Sequence, residues 1–378
     1  MICSIFAPRR LRARAVVLAI AGAACTRHVS AIAPVAAPGP ATPRALPAEP
    51  EHPIRDAERA EVVDHLIAGL DQHYVWPEKA RAIGQALRGR IARGEYAALT
   101  TGERLARALT DDLVSITHDK HLEVRYFEAP VPPGQGAEST PPTAMDAEEA
   151  AEQRYLNHGV FEARRMKFNI GYLNFGEFGR PGPTAEKLAA AMLLVNDTAS
   201  LIVDLRECHG GDTDTVTLAE SYFVPPNTHL LDLYTRSDNS TERAQAAATL
   251  AGPRYAADKA MFVLISEVTA SGCEAFAYAM QSHKRATVIG AVSAGAAYFG
   301  EPRRLSDHFM AFIPVGRPID PITHGDWEGV GVTPAVAVPA ATALAVAERK
   351  SLEAIQPGEP SRRRKDAMQK RIIELSRP

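Results

Sequence analysis

From Asp56 onward apolar residues recur at three- and four-residue steps. Val62, Val63, Leu66, Ile67 and Leu70 form one run, Ile83, Leu87 and Ile91 a second, and Leu105, Leu109, Leu113 and Val114 a third. Such spacing lines one face of a helix, and three short helices need one another to cover their stripes. The pattern predicts a small helical domain over 55–118, with Thr101 capping its last helix. From residue 121 the period changes to two, and HLEVRYF alternates as a half-buried strand does. Repeated Pro and Gly then interrupt structure between Ala129 and Pro142.

The pattern changes again beyond residue 168. NIGYLNFGEF reads as a strand, and a helix with an apolar face runs on from Thr184. ASLIVDLR is a continuous apolar run bounded by polar residues, as a strand buried on both faces requires. AMFVLISEVT repeats that signature, a helical stretch from Glu274 to His283 follows it, and ATVIGAV is a third such strand. Strand and helix in alternation argue for an α/β core with parallel pairing. An alternating stretch after Glu328 predicts a last strand, and the basic segment over 361–378 reads as a solvated helix end.

Composition narrows the class. A hydrophobic fraction of 46% over 378 residues excludes wholesale disorder and leaves enough core for an enzyme. A formal charge of −3 gives no reason to expect nucleic-acid binding, and no apolar run approaches the roughly 20 residues of a membrane span. Arg9, Arg10, Arg12 and Arg14 precede the apolar stretch Ala15 to Ala24, the pattern of a secretory signal with cleavage after Ala31. Cys25 offers a lipoprotein reading of the same segment, with a lipid anchor in place of simple cleavage. Either way the expected compartment is periplasmic or extracellular. Residues 32–54 are Ala/Pro-rich and read as a linker. Of four cysteines only Cys208 and Cys273 lie beyond the leader. Two buried thiols and a disulfide are both open, and neither Cys-x-x-Cys pairs nor spaced His ligands suggest zinc.

Four segments can carry chemistry. Ser271 follows a buried strand and opens a helix, where unpaired N–H groups favour an oxyanion, although such a Ser is often only a cap. Gly210 and Gly211 end another buried strand and can aim N–H groups at a developing negative charge. His118 and His121 flank the start of a strand, where an imidazole can serve as general base. Glu328 lies in a Gly-rich turn.

Taken in order, DKHLEV, IGYLNFGEF, LIVDLRECHGG, MFVLISEVTASGCEAFAYAM, RATVIGAVSAGAAYFG and WEGVGVTPAVAVP resemble successive blocks of the tail-specific (C-terminal-processing) serine proteases. The likeness is to the branch with the tricorn protease core and interphotoreceptor retinoid-binding protein, and it spans Asp56 to Ala347. It implies an α/β fold with a crotonase-like ββα core over 119–347, the helical-bundle domain before it and a basic tail over 348–378. Residues Val124 to Phe168 are too few for an inserted PDZ domain. It also implies hydrolysis of peptide bonds in a peptide or protein substrate, without metal or organic cofactor. Ser271 takes the nucleophile's position, His121 the base's and Glu328 that of its supporting carboxylate. Gly272 with Gly210 and Gly211 would form the oxyanion hole, braced by Cys208 and Cys273 if they pair. Many relatives use a Lys base where this chain has Ala296, and the tricorn-like branch can carry a Ser before its His where this chain has Lys120. A binding protein of the same fold that holds an apolar ligand, and an esterase acting through Ser271, are the rival expectations.

Overall fold

The computed structural model describes residues 53–132 and 145–377. The expected leader, nearly all of the linker, Cys25 and most of the 129–142 segment lie outside them. Helices α1 (Asp56–His73), α2 (Pro77–Ala92) and α3 (Gly102–Thr117) precede the short strand β1 (Glu123–Tyr126). After α4 (Met145–Tyr155), β2 (Val160–Arg165) and β3 (Ile170–Phe175) lead through α5 (Pro183–Val195) to β4 (Ser200–Asp204) and α6 (Thr213–Ser221). A hairpin of β5 (His229–Thr235) and β6 (Ser240–Gln245) comes before β7 (Ala260–Ile265), α7 (Gly272–Ser282) and β8 (Thr287–Gly290). A second hairpin, β9 (Phe299–Arg304) and β10 (Phe309–Ile319), is followed by β11 (Val336–Ala337), α8 (Ala340–Ile355) and α9 (Arg362–Leu375).

The protein is a mixed α/β structure with two sheets and a helical N-terminal region. The larger sheet runs β11-β8-β7-β4-β3-β2, parallel except for β2, which is antiparallel to β3. Its central strands β3, β4, β7 and β8 are covered on both faces, which is why their sequences do not alternate. Leu201, Val203, Val263 and Ile265 share one buried cluster with Met192 of α5, Val216 of α6 and Phe276 of α7. Ile202, Phe262, Leu264 and Ile289 share another with Ala343 and Ala347 of α8 and Met368 of α9. The second sheet runs β1-β10-β5-β6, with β9 also paired to β10.

The N-terminal helices share their core with the second sheet. Leu66, Leu70, Leu105 and Leu109 belong to the same buried cluster as Phe309 and Ile313 of β10. Val75 N–H donates to the Pro314 carbonyl (2.9 Å), and Arg236 donates to the carbonyls of Asp71 and Tyr74 (2.7 and 2.6 Å). Two local expectations change. The basic end is a docked helix, with Met368 only 2% exposed and Arg371 donating twice to Glu348 (2.8 and 2.9 Å). The last strand is only the two residues of β11. Thr101 does precede α3, but its hydroxyl makes no cap bond.

Candidate active site

Parallel strands deliver their C-terminal ends to one edge of a sheet, where such folds usually bind ligands. Here β4 and β7 bring two loops together there. Beyond β7 the chain is cinched by Thr269, whose Oγ1 accepts Ser266 N–H (2.9 Å) and donates to the Leu205 carbonyl (2.7 Å). The turn ends on Ser271, the N-cap of α7, at φ 51° and ψ −123°. L-residues seldom adopt that conformation, which costs on the order of 1–3 kcal/mol and persists only when its surroundings enforce it. Glu274 supplies the enforcement. Fully buried, it accepts N–H groups from Ser271 (2.9 Å), Gly295 (2.7 Å) and Ala296 (2.8 Å), and the Ser293 hydroxyl (2.5 Å). Burial pushes its carboxyl above the usual range, and these four donors oppose that rise.

The loop after β4 passes directly against this serine. Gly210 and Gly211 hold φ values of 125° and 135°, and a Cβ on Gly210 would fall 2.9 Å from Ser271 Cβ. Cys208 and Cys273 form a disulfide that ties the loop to the first turn of α7, which settles the alternative left open by the sequence. Gly210 is not the donor the sequence suggested, because its N–H already donates to Cys273 Sγ (3.0 Å). Among the described residues, the N–H groups of Gly211 and Gly272 take no backbone partner. The Gly211 nitrogen lies 3.3 Å from where a Gly272 Cβ would stand, so these two amides are neighbours beside Ser271.

His121 comes from the other side, in the turn between α3 and β1. Its Nδ1 lies 3.6 Å from Asp119 Oδ1 and 3.9 Å from Glu328 Oε2. Both Nδ1 and Glu328 Oε1 are buried without a hydrogen-bond partner. Glu328 Oε2 accepts the N–H groups of Ala297 (2.6 Å) and Tyr298 (3.1 Å). Adjacent amides therefore tie the two halves together: Ala296 is held by the carboxylate under Ser271, and Ala297 by the carboxylate beside His121. Ala296 is buried and brings no amine to the site. Nor does Lys120 join His121 to Glu328, since its Nζ donates to the Ala294 carbonyl (2.5 Å). His118 is exposed and ends α3 in a left-handed conformation.

Sequence reasoning missed Asp119, although an Asp two residues before the His is the signature of an Asx turn. Asp119, His121 and Glu328 present ligand-type atoms within 4.8 Å of one another, the group among the described residues that a metal ion could use. The Asp119 and Glu328 oxygens already accept backbone and hydroxyl donors, an arrangement suited to holding an imidazole N–H. A groove of about 450 Å³ opens beside His121, lined by Lys120, Arg125, Phe127, Met310 and Phe312. Another of about 360 Å³ lies along the Gly210 loop, lined by Phe161, Glu177, Glu207, His209 and Val268.

Burial, reinforced by the Asp119 charge, pushes Glu328 up to about 7 from an ordinary 4.5. Between those values the folded protein keeps a proton that the unfolded chain has released, so this group costs stability as pH rises through the window. Glu328→Gln keeps an oxygen for Ala297 and removes that cost. Its unfolding free energy should match the parent near pH 4 and exceed it by on the order of 2 kcal/mol near pH 8. Equal stability of the two proteins at both pH values, measured by denaturant titration, would contradict this account of Glu328.

Residues 169–338 match the model of peptidase family S41, and residues 55–162 match the N-terminal domain of peptidase S41 in eukaryotic IRBP. Carboxyl-terminal-processing peptidase 2 of the chloroplast, from Arabidopsis thaliana, is 27% identical over 173 residues, covering 44% of this chain and 31% of that protein. A probable CtpA-like serine protease from Staphylococcus haemolyticus is 26% identical over 145 residues, covering 38% and 28%. The chain thus spans less than a third of the length of either curated relative. Among solved structures, a lipoprotein from Streptococcus agalactiae superposes with a TM-score of 0.53 at 12% identity, over 79% of this chain and 98% of that one. That last likeness is one of fold.

Proposed function

Since the chain belongs to peptidase family S41 and carries the N-terminal domain found in that family, we propose that it is a serine peptidase that cleaves peptides or proteins through an acyl-enzyme on Ser271. The observation that carries the reading is the pair of adjacent amides, Ala296 and Ala297, bound respectively to Glu274 and Glu328. Through them the strained Ser271 turn and the His121 turn share one short stretch of backbone.

An isolated Ser hydroxyl is a weak nucleophile near neutral pH and needs a base. In this reading a neighbouring carboxylate accepts the His121 Nδ1–H during the reaction, and Nε2 serves as the base for Ser271 Oγ. The Oγ proton moves to Nε2 as Oγ bonds the scissile carbonyl carbon, and the carbonyl oxygen takes the negative charge. The N–H groups of Gly211 and Gly272 receive that oxyanion, each contributing roughly 2.7–4 kcal/mol by the measure of other oxyanion holes. The C–N bond then breaks, His121 returns its proton to the leaving amine, and water deacylates Ser271 by the same steps. Catalytic hydrogen bonds often tighten only when substrate binds, so the Ser271–His121 bond is needed only in the complex with substrate. The two grooves take the substrate chain on either side of the bond to be cut.

The basic and apolar segment before Ala31 makes this an exported peptidase, periplasmic or extracellular. A disulfide at the site agrees with an oxidising compartment. The test of function is incubation with an unfolded protein and a mixed peptide library, followed by mass spectrometry of the products. New termini that depend on Ser271 are expected. Intact peptides alongside hydrolysed activated esters would replace the peptidase reading with the esterase one.

The disulfide gives a further prediction. A Cys208→Ser, Cys273→Ser double variant should lose about 2–4 kcal/mol of unfolding free energy. Its kcat should also fall, because Gly211 would no longer be fixed against Gly272. Unchanged denaturation midpoint and turnover would show that the loop holds its place without the bridge.

A further inference from the structure

Resting on the peptidase reading of His121, we propose that Asp119 is a positioning residue that shares the His121 Nδ1–H with Glu328, so that two carboxylates hold the imidazole. Glu328 alone is poorly placed for the task, at 3.9 Å from Nδ1 and with its Oε2 already taken by two backbone donors. Among the described residues no hydroxyl bridges the gap, since His121 Nδ1 and Glu328 Oε1 have no partner and the Lys120 amine is bound to the Ala294 carbonyl. Asp119 Oδ1 is closer, at 3.6 Å.

Asp119 is also held from more than one side. It is 1% exposed, its Oδ1 accepts His121 N–H (2.9 Å), its Oδ2 accepts the Tyr74 hydroxyl (3.1 Å), and its own N–H donates to Thr117 Oγ1 (3.1 Å). Carboxylate and imidazole thus ride on one Asx turn, anchored by Tyr74, the residue that follows α1. Among the described residues no Lys or Arg forms an ion pair with Asp119 or Glu328. The imidazolium that forms when His121 takes the seryl proton is therefore the cation both carboxylates face. Two buried acceptors around one N–H also fix the tautomer, leaving Nε2 free to act as base.

Turnover of one peptide by Asp119→Asn, Glu328→Gln and the double variant tests this. Asn keeps an oxygen for the His121 N–H, and Asp119→Ser does the same should Asn fold poorly. Each single variant retains one carboxylate and should lose about tenfold in kcat with KM unchanged, while the double should lose more than the product of the singles, approaching about 10⁴-fold. A parental kcat in the Asp119 variants, or a double equal to the product, would overturn the proposal.

A second readout does not need turnover. In a Ser271→Ala background, ¹⁵N NMR of the His121 ring should show Nδ1 protonated in the parent and in each single variant, and the tautomer lost in the double. A ring unaffected by both changes in an enzyme that still cleaves peptides would sink this inference alone. The expected tautomer behaviour in a protein that cleaves nothing would leave it standing and remove the peptidase reading.

Discussion

Ser271→Ala should lower kcat by at least about 10³-fold while leaving the fold intact, at a stability cost of about 1 kcal/mol for the lost cap. The Ser271 side chain forms a capping box with the Glu274 N–H, and the Glu274 carboxylate in turn accepts the Ser271 N–H. The second of these bonds survives in Ala. Ser271→Gly should be equally inactive yet more stable, by about 1 kcal/mol, since glycine occupies φ 51° without strain. Activity and stability would then move in opposite directions at one residue, as expected when strain is kept for function. The pair is read by kcat on a cleaved peptide and by denaturant titration. Parental turnover in either variant would remove Ser271 from the mechanism, and a Gly variant less stable than the parent would remove the strain argument.

His121→Ala should cost nearly as much, about 10²–10⁴-fold in kcat, since it removes the base that makes the seryl hydroxyl nucleophilic. The oxyanion donors and the grooves stay, so residual turnover should remain above the uncatalysed rate. That residue of activity should climb with pH, as hydroxide replaces the lost base. The parent, in contrast, should lose turnover as pH falls through the region near 7 where Glu328 takes a proton and ceases to hold the imidazole. A pH series on both proteins distinguishes these shapes. Undiminished turnover in His121→Ala would mean that another group removes the proton.

The elements legible in the sequence are those whose burial leaves a pattern. ASLIVDLR, AMFVLISEVT and ATVIGAV are covered on both faces and became β4, β7 and β8 of one parallel sheet. The three N-terminal helices were visible from their stripes. Much of the second sheet was not. The β6 strand is polar and almost wholly exposed, held to the protein by its ladder to β5, so it carries no apolar period. The β9 strand contains Gly300 and Pro302, residues that read as breakers, and it survives because it pairs along β10 alone. In α9 a run of basic residues hides the sparse stripe of Met368, Ile372 and Leu375 that docks it.

The candidate site divides in the same way. Residue type and position pointed to Ser271, His121, Glu328 and the glycine loop, and resemblance to known blocks joined them. Which glycine amide is available was not readable, because it depends on the sulfur that captures Gly210 N–H. Asp119 was equally hidden. A single Asp before a His is common in turns, and its proximity to Nδ1 exists only once α3 and β1 set the turn's shape.

Reaction with a fluorophosphonate probe tests the central claim most directly, because only an activated serine hydroxyl is phosphonylated. Mass spectrometry of the digested protein should find a single adduct on the peptide that contains Ser271, formed rapidly by the parent and negligibly by His121→Ala. A protein that stays unlabelled, or one labelled at the same rate without the imidazole, would contradict the account.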